Sequence, residues 1–185
     1  MPYQWEHNIS ALLENANDSA TLTRLLDYKG KQKGRYGSIL PFLKGLTPDQ
    51  LLSAVFHSDF PPGSGGSSTN ILHKICFHDH CPPRGCADVT DVFKLGSFII
   101  ETYEQTDRHD EYVGMANYSR YTPLHYAAQS CNEPLVKKLV EHYPKALFME
   151  AVNGCAPLNC AERFGSEEVR TYLNWAMTEY ADMED

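Results

Sequence analysis

Apolar residues recur every three to four positions over much of this chain, the spacing that lines them along one face of an α-helix. Glu133–His142 shows it most clearly, with Leu135, Val136, Leu139 and Val140 as a single stripe. Asp91–Tyr103 carries Val92, Phe93, Leu95, Phe98, Ile99 and Ile100, and Glu167–Leu173 carries Val169, Tyr172 and Leu173. The first third repeats the pattern in shorter pieces. Asn8–Asn15 places Ile9, Leu12 and Leu13 on one side, and Asp18–Tyr28 does so with Leu22, Leu25 and Leu26 behind a cap at Asp18 or Ser19. Two further short helices are expected at Ser38–Lys44 and Thr47–Phe56. The second opens on Thr47-Pro48-Asp49, a good helix start, and turns Leu51, Leu52 and Val55 inward. Pro61–Ser68, PPGSGGSS, reads as a flexible connector.

Another set of helices is announced by its first residues. Tyr121–Ala128 reads YTPLHYAA. Thr122 suits an N-cap, and Pro123 suits the first helical position, where a missing N–H costs nothing. Leu124 begins an apolar face, and Ala127 and Ala128 let a neighbouring helix approach closely. The pattern returns at Ala156–Ala161, APLNCA, with 34 residues between Leu124 and Leu158 and with Gly154 before it. A weaker copy, TNILHKIC, stands at Thr69–Cys76, 52 residues from Leu72 to Leu124. Its excess length is expected in Phe77–Asp88 and partly in Gln105–Ala116.

These runs resemble the ankyrin repeat family, whose period is about 33 residues. The resemblance covers about residues 70–175 and is specific over 117–173. It implies an all-α solenoid of three to four helix-pair units, in which stacking supplies the core that no single pair can form. The implied organisation is a helical N-terminal capping region over 1–60 and a Pro/Gly/Ser loop over 61–68. A degenerate repeat with an insertion follows over 69–116, then repeats over 117–150 and 151–176, and an acidic tail over 177–185. Arg120 stands where the family has a turn Gly, Cys131-Asn132 replaces its Gly-His, and Asn159 replaces the motif His. Irregular turns are expected there. In the family the motif His hydrogen-bonds between loops and helices, so His125 is expected to be structural.

The resemblance also implies function: recognition of a partner protein on the concave face, built from turn tips and inner-helix surfaces. Carried over by motif position, that face comprises Tyr118, Ser119, Tyr121, Gln129 and Ser130 in one repeat. In the next it comprises Val152, Asn153, Cys155, Arg163 and Phe164, while Phe77 and His78 align with it in the degenerate repeat. Tyr118, Tyr121 and Phe164 are the expected anchors, because aromatic residues concentrate binding energy.

Composition narrows the alternatives. The chain has 185 residues, 42% of them hydrophobic, and a formal net charge of −8. One domain with an ordinary core fits that length. An acidic chain is poorly suited to phosphate backbones, so no nucleic acid is expected. The basic segment Lys29–Arg35 reads as a solvated loop, and Glu179, Asp182, Glu184 and Asp185 as a solvated tail. No secretory signal and no membrane-length apolar run is visible, so an intracellular protein, cytoplasmic or nuclear, is expected, with no membrane partner.

Six cysteines do not suggest a disulfide framework; Cys76, Cys131, Cys155 and Cys160 read as small apolar residues at helix and turn positions. The densest chemistry is HKICFHDHCPPRGC, residues 73–86. With His73 and Cys76 absorbed by the repeat, His78, His80, Cys81 and Cys86 remain. Their spacing matches no standard zinc arrangement, and an exposed insertion is the expected reading. A zinc-binding regulatory module, a redox-sensitive Cys81–Cys86 pair and a structural subunit of a larger assembly stand as alternatives. No cofactor or metal is assigned. The sequence has no nucleophile elbow and no phosphate loop, and no enzyme activity is expected.

Overall fold

The computed structural model describes residues 40–48, 51, 55–57, 68–78 and 89–181. The helices expected at Asn8–Asn15 and Asp18–Tyr28, and the basic loop, lie outside them. So do most of the Pro/Gly/Ser connector and the loop carrying His80, Cys81 and Cys86.

Helices come in pairs. Inner helices are short: α2 (Ile71–His78), α5 (Pro123–Ala127) and α7 (Pro157–Phe164). Outer helices are longer: α3 (Val89–Glu104), α6 (Glu133–His142) and α8 (Glu167–Glu179). Each inner helix packs on the outer helix that follows it. In the next direction α2 packs on α5 and α5 on α7, while α3 packs on α6 and α6 on α8. Two parallel rows of helices therefore share one continuous core. Leu72, Leu124, Leu135, Leu139, Val169 and Leu173 are buried in it. Ala127, Ala128 and Ala161 are fully buried where inner helices approach each other, as small side chains require.

Ahead of this stack lies α1 (Leu40–Leu43), within the helix expected at Ser38–Lys44, and Leu43 joins the core. Val55 and Phe56, the end of the helix expected at Thr47–Phe56, instead belong to a strand, β1 (Val55–His57). It pairs antiparallel with β2 (Ser68–Asn70), Val55 opposite Asn70. β-branched Val55 and Thr69 suit an extended pair, and local helical periodicity does not register a partner elsewhere in the chain.

The region expected to hold surplus length, Gln105–Ala116, contains a further helix, α4 (His109–Val113). Tyr112 and Val113 are buried, and the Tyr112 ring lies 5.2 Å from that of Tyr103. Asn70 Nδ2 donates to the Tyr112 carbonyl at 2.6 Å, tying α4 to the start of α2. This length is core, packed where a regular repeat would have only a turn. Burial keeps the Tyr103 phenol protonated, its pKa far above the ordinary value.

Both helix caps after the inner helices are regular despite the unusual residues. Asn132 Oδ1 accepts the Leu135 N–H at 3.2 Å, and Ser166 Oγ, 34 residues later, accepts the Val169 N–H at 3.3 Å. The expected acidic tail also starts later than residue 177: α8 runs through Glu179, and Met177 and Tyr180 pack on the core. Cys131 is disulfide-bonded, contrary to its reading as a small apolar residue, whereas Cys155 and Cys160 are free thiols.

Candidate partner-binding face

Two turn tips precede α5 and α7 and are built alike. Asn117 N–H donates to the Tyr121 carbonyl at 2.9 Å, and Ala151 N–H donates to that of Cys155 at the same distance. Between them the chain reverses through a left-handed residue, Arg120 at φ 61° and Gly154 at φ 75°. The turn at Arg120 is therefore regular, not irregular as its residue type suggests. Asn117 Oδ1 holds it by accepting the Ser119 and Tyr121 N–H groups, each at 3.0 Å. Asn153 Oδ1 accepts the Cys155 N–H at 3.2 Å in the next turn. Val152 N–H donates to the Ser119 carbonyl at 3.0 Å, so the two tips are joined through their backbones.

This geometry pushes Tyr118 and Val152 outward. They occupy equivalent positions and are 69% and 71% exposed. Ser119, Asn153, Arg163 and Phe164 are also exposed, and Tyr121, Gln129 and Cys155 are half-buried. Ser130 is not on this surface. It is fully buried: its hydroxyl accepts the Asn132 N–H at 3.0 Å, and its carbonyl accepts the Ser166 N–H at 3.2 Å. A position read from the motif as exposed is consumed in joining successive repeats, and Ser130 drops from the candidate set.

Aromatic rings run across the repeats beside the tips. Phe77, at the end of α2, meets Tyr126 edge-on at 5.6 Å, and Tyr126 lies 5.5 Å from Tyr121. The Tyr126 hydroxyl accepts from Asn117 Nδ2 at 3.0 Å, and the Tyr121 hydroxyl accepts from Asn153 Nδ2 at 3.1 Å. Arg163 stacks over Phe164 at 5.0 Å. Tyr126 is the residue that sequence reasoning missed; its signal is a large aromatic at the variable place of the Thr-Pro-Leu-His-x-Ala-Ala run. The half-buried Tyr121 is held by both a ring contact and a hydrogen bond.

Beneath this face lies a repeated histidine bridge. His125 Nδ1 accepts the Thr122 N–H at 3.1 Å, and its Nε2–H reaches the Cys155 carbonyl of the next turn at 3.1 Å. His73 does the same with the Asn70 N–H at 3.2 Å and the Tyr121 carbonyl at 3.1 Å. Desolvation by burial lowers both imidazoles to a pKa of about 4, so they are neutral at physiological pH. Asn159 stands at the third such position and caps α7 with Oδ1, accepting the Ala156 N–H at 3.0 Å. Neither His is poised as a general base, since every ring nitrogen is engaged. Burial likewise pushes the Cys160 thiol up to about 11, which makes it a poor nucleophile.

On the outer helices a separate cavity of 410 Å³ is lined by Glu133, Glu167, Glu168, Thr171, Tyr172 and Trp175. Two of its carboxylates are already paired, Glu133 with Lys137 at 3.0 Å and Glu167 with Arg170. His80, Cys81 and Cys86 lie outside the described residues, as does the His78 side chain. No helix among the described residues is long and apolar enough to cross a membrane.

Comparison with known proteins agrees with this architecture. Residues 119–148 match the sequence model of the ankyrin repeat. A chain in the crystal structure of the yeast ribosomal protein Rps3 in complex with its chaperone Yar1 superposes with a TM-score of 0.54. The two are 20% identical, and the alignment covers 90% of each chain. No curated protein matches the chain. The fold is an ankyrin-type helical repeat.

Proposed function

We propose that this chain is a non-catalytic recognition module that binds a partner protein across the turn tips and inner helices. One observation carries the reading: register-equivalent tips, braced to each other through the backbone, hold Tyr118 and Val152 in the open. Large apolar side chains at such exposure serve no packing role in this chain, and aromatic groups on a rigid scaffold lose little entropy on binding. Phe77, Tyr126, Tyr121 and Phe164 extend the apolar surface, with Ser119, Gln129, Asn153, Cys155 and Arg163 among them to satisfy polar groups of the partner. The likeness to a chain from a complex between a ribosomal protein and its chaperone supports a protein ligand. The net charge of −8 favours a partner with a basic surface.

A Tyr118→Ala, Val152→Ser, Phe164→Ala triple variant tests the face. All three side chains are exposed, so helical content and melting temperature should match the parent. Affinity for a protein captured from lysate by the parent chain should fall at least tenfold, measured with purified components. Undiminished affinity would move the binding surface elsewhere, with the outer-helix cavity as the next place to look.

A further inference from the structure

We infer that Glu104, His109 and His142 form a binding site for a divalent transition metal, with zinc the best fit. One ligand atom from each lies within 4.8 Å of the others. The residues come from three elements: the last residue of α3, the first of α4 and the last of α6. His142 Nδ1 and Glu104 Oε1 are 2.9 Å apart, and the His109 and His142 rings meet edge-on at 5.6 Å.

A bare ion pair between Glu104 and His142 would account for part of this geometry. It leaves His109 unexplained. The Nε2 of His109 is buried and has no hydrogen-bond partner, while its Nδ1 lies 3.1 Å from Asp110 Oδ1. A carboxylate at Nδ1 fixes the proton there and leaves the Nε2 lone pair free. That is how an outer carboxylate orients a metal-ligating histidine. A buried ring nitrogen with nothing to bond is otherwise unfavourable.

The field at the site also suits a cation. Glu104 and His142 each end a helix, where the unpaired carbonyls carry partial negative charge. Ligands about 2.1 Å from a tetrahedral zinc stand about 3.4 Å apart, so only small side-chain adjustments close the set. Two imidazoles and one carboxylate favour zinc over magnesium or calcium, which take oxygen ligands. Three protein ligands leave a fourth position for water or for a group from a partner. Bound metal would clamp α4 to the ends of α3 and α6.

The test is calorimetric titration of the full chain, its Cys131 disulfide kept oxidised, with zinc, alongside His109→Gln, His142→Gln and Glu104→Gln. One zinc per chain is expected, with affinity reduced at least about tenfold in each variant. Cobalt should bind without thiolate charge-transfer absorption. Glu104 is exposed, so its variant reports on the site even if a histidine variant folds poorly. Absence of saturable binding overturns the inference. So does affinity unchanged in all three variants, or a thiolate band, either of which would place the metal on other residues.

Discussion

Arg120 holds a left-handed backbone at φ 61°, where the equivalent residue of the next turn is Gly154 at φ 75°. A side chain in that region costs roughly 1–2 kcal/mol, of which glycine's greater freedom in the unfolded chain offsets part. Arg120→Gly should therefore raise stability by about 0.5–1 kcal/mol in a urea titration. Gly154→Ala should lower it by about 1 kcal/mol. Conformation alone would be the cause in the second case, because an added Cβ meets nothing within 4 Å. Gly165 is needed for a different reason. A Cβ there would lie 2.4 Å from the Ala128 carbonyl oxygen and 2.9 Å from Ala161 Cα. Gly165→Ala should cost about 1–3 kcal/mol through this clash. A loss below that range would show that the inner helices separate easily.

Between elements, the histidine bridge fixes the spacing of successive repeats. Each imidazole closes the first turn of its own inner helix and grips the next turn's carbonyl. Asn159 shows that an amide can supply the first contact without the second. His125→Asn should keep the cap on α5 and lose the bond to Cys155. The Cys155 carbonyl retains the Ala151 N–H, so it is not orphaned. The expected loss is about 1 kcal/mol at pH 7, the usual net worth of one hydrogen bond. A loss several times larger would mean that the imidazole's packing, rather than its bond, joins the repeats.

For the whole molecule, these two buried histidines are expected to add to its sensitivity to acid. Their folded pKa of about 4 lies below the ordinary value of 6.5, so the unfolded chain takes up protons first. Their contribution is complete above pH 6.5 and is lost as pH falls towards 4. The slope is about 1.4 kcal/mol per pH unit for each group. Urea titrations should give constant stability from pH 8 to 7 and a steep fall between about 6.5 and 4. The His125→Asn variant should show about half that slope. An unaltered slope would assign the acid sensitivity to carboxylates instead.

Much of this architecture was legible because it is local. Leu135, Val136, Leu139 and Val140 specify an outer helix by their spacing, and Pro123 and Pro157 mark inner helices by the one backbone position proline favours. The recurrence of Leu124 at Leu158 then points to the stacking of similar units. Long-range contacts decided the rest. Val55 became a strand residue because Asn70 lies opposite it, and α4 became core because Tyr112 found Tyr103. Ser130 looked exposed by motif position, yet the next repeat covers it, and the disulfide at Cys131 has no local signature. Glu104, His109 and His142 meet only where three helix ends converge. Backbone preference and periodicity act over a few residues and can be read along the chain, whereas burial, pairing and ligand geometry belong to residues that only folding brings together.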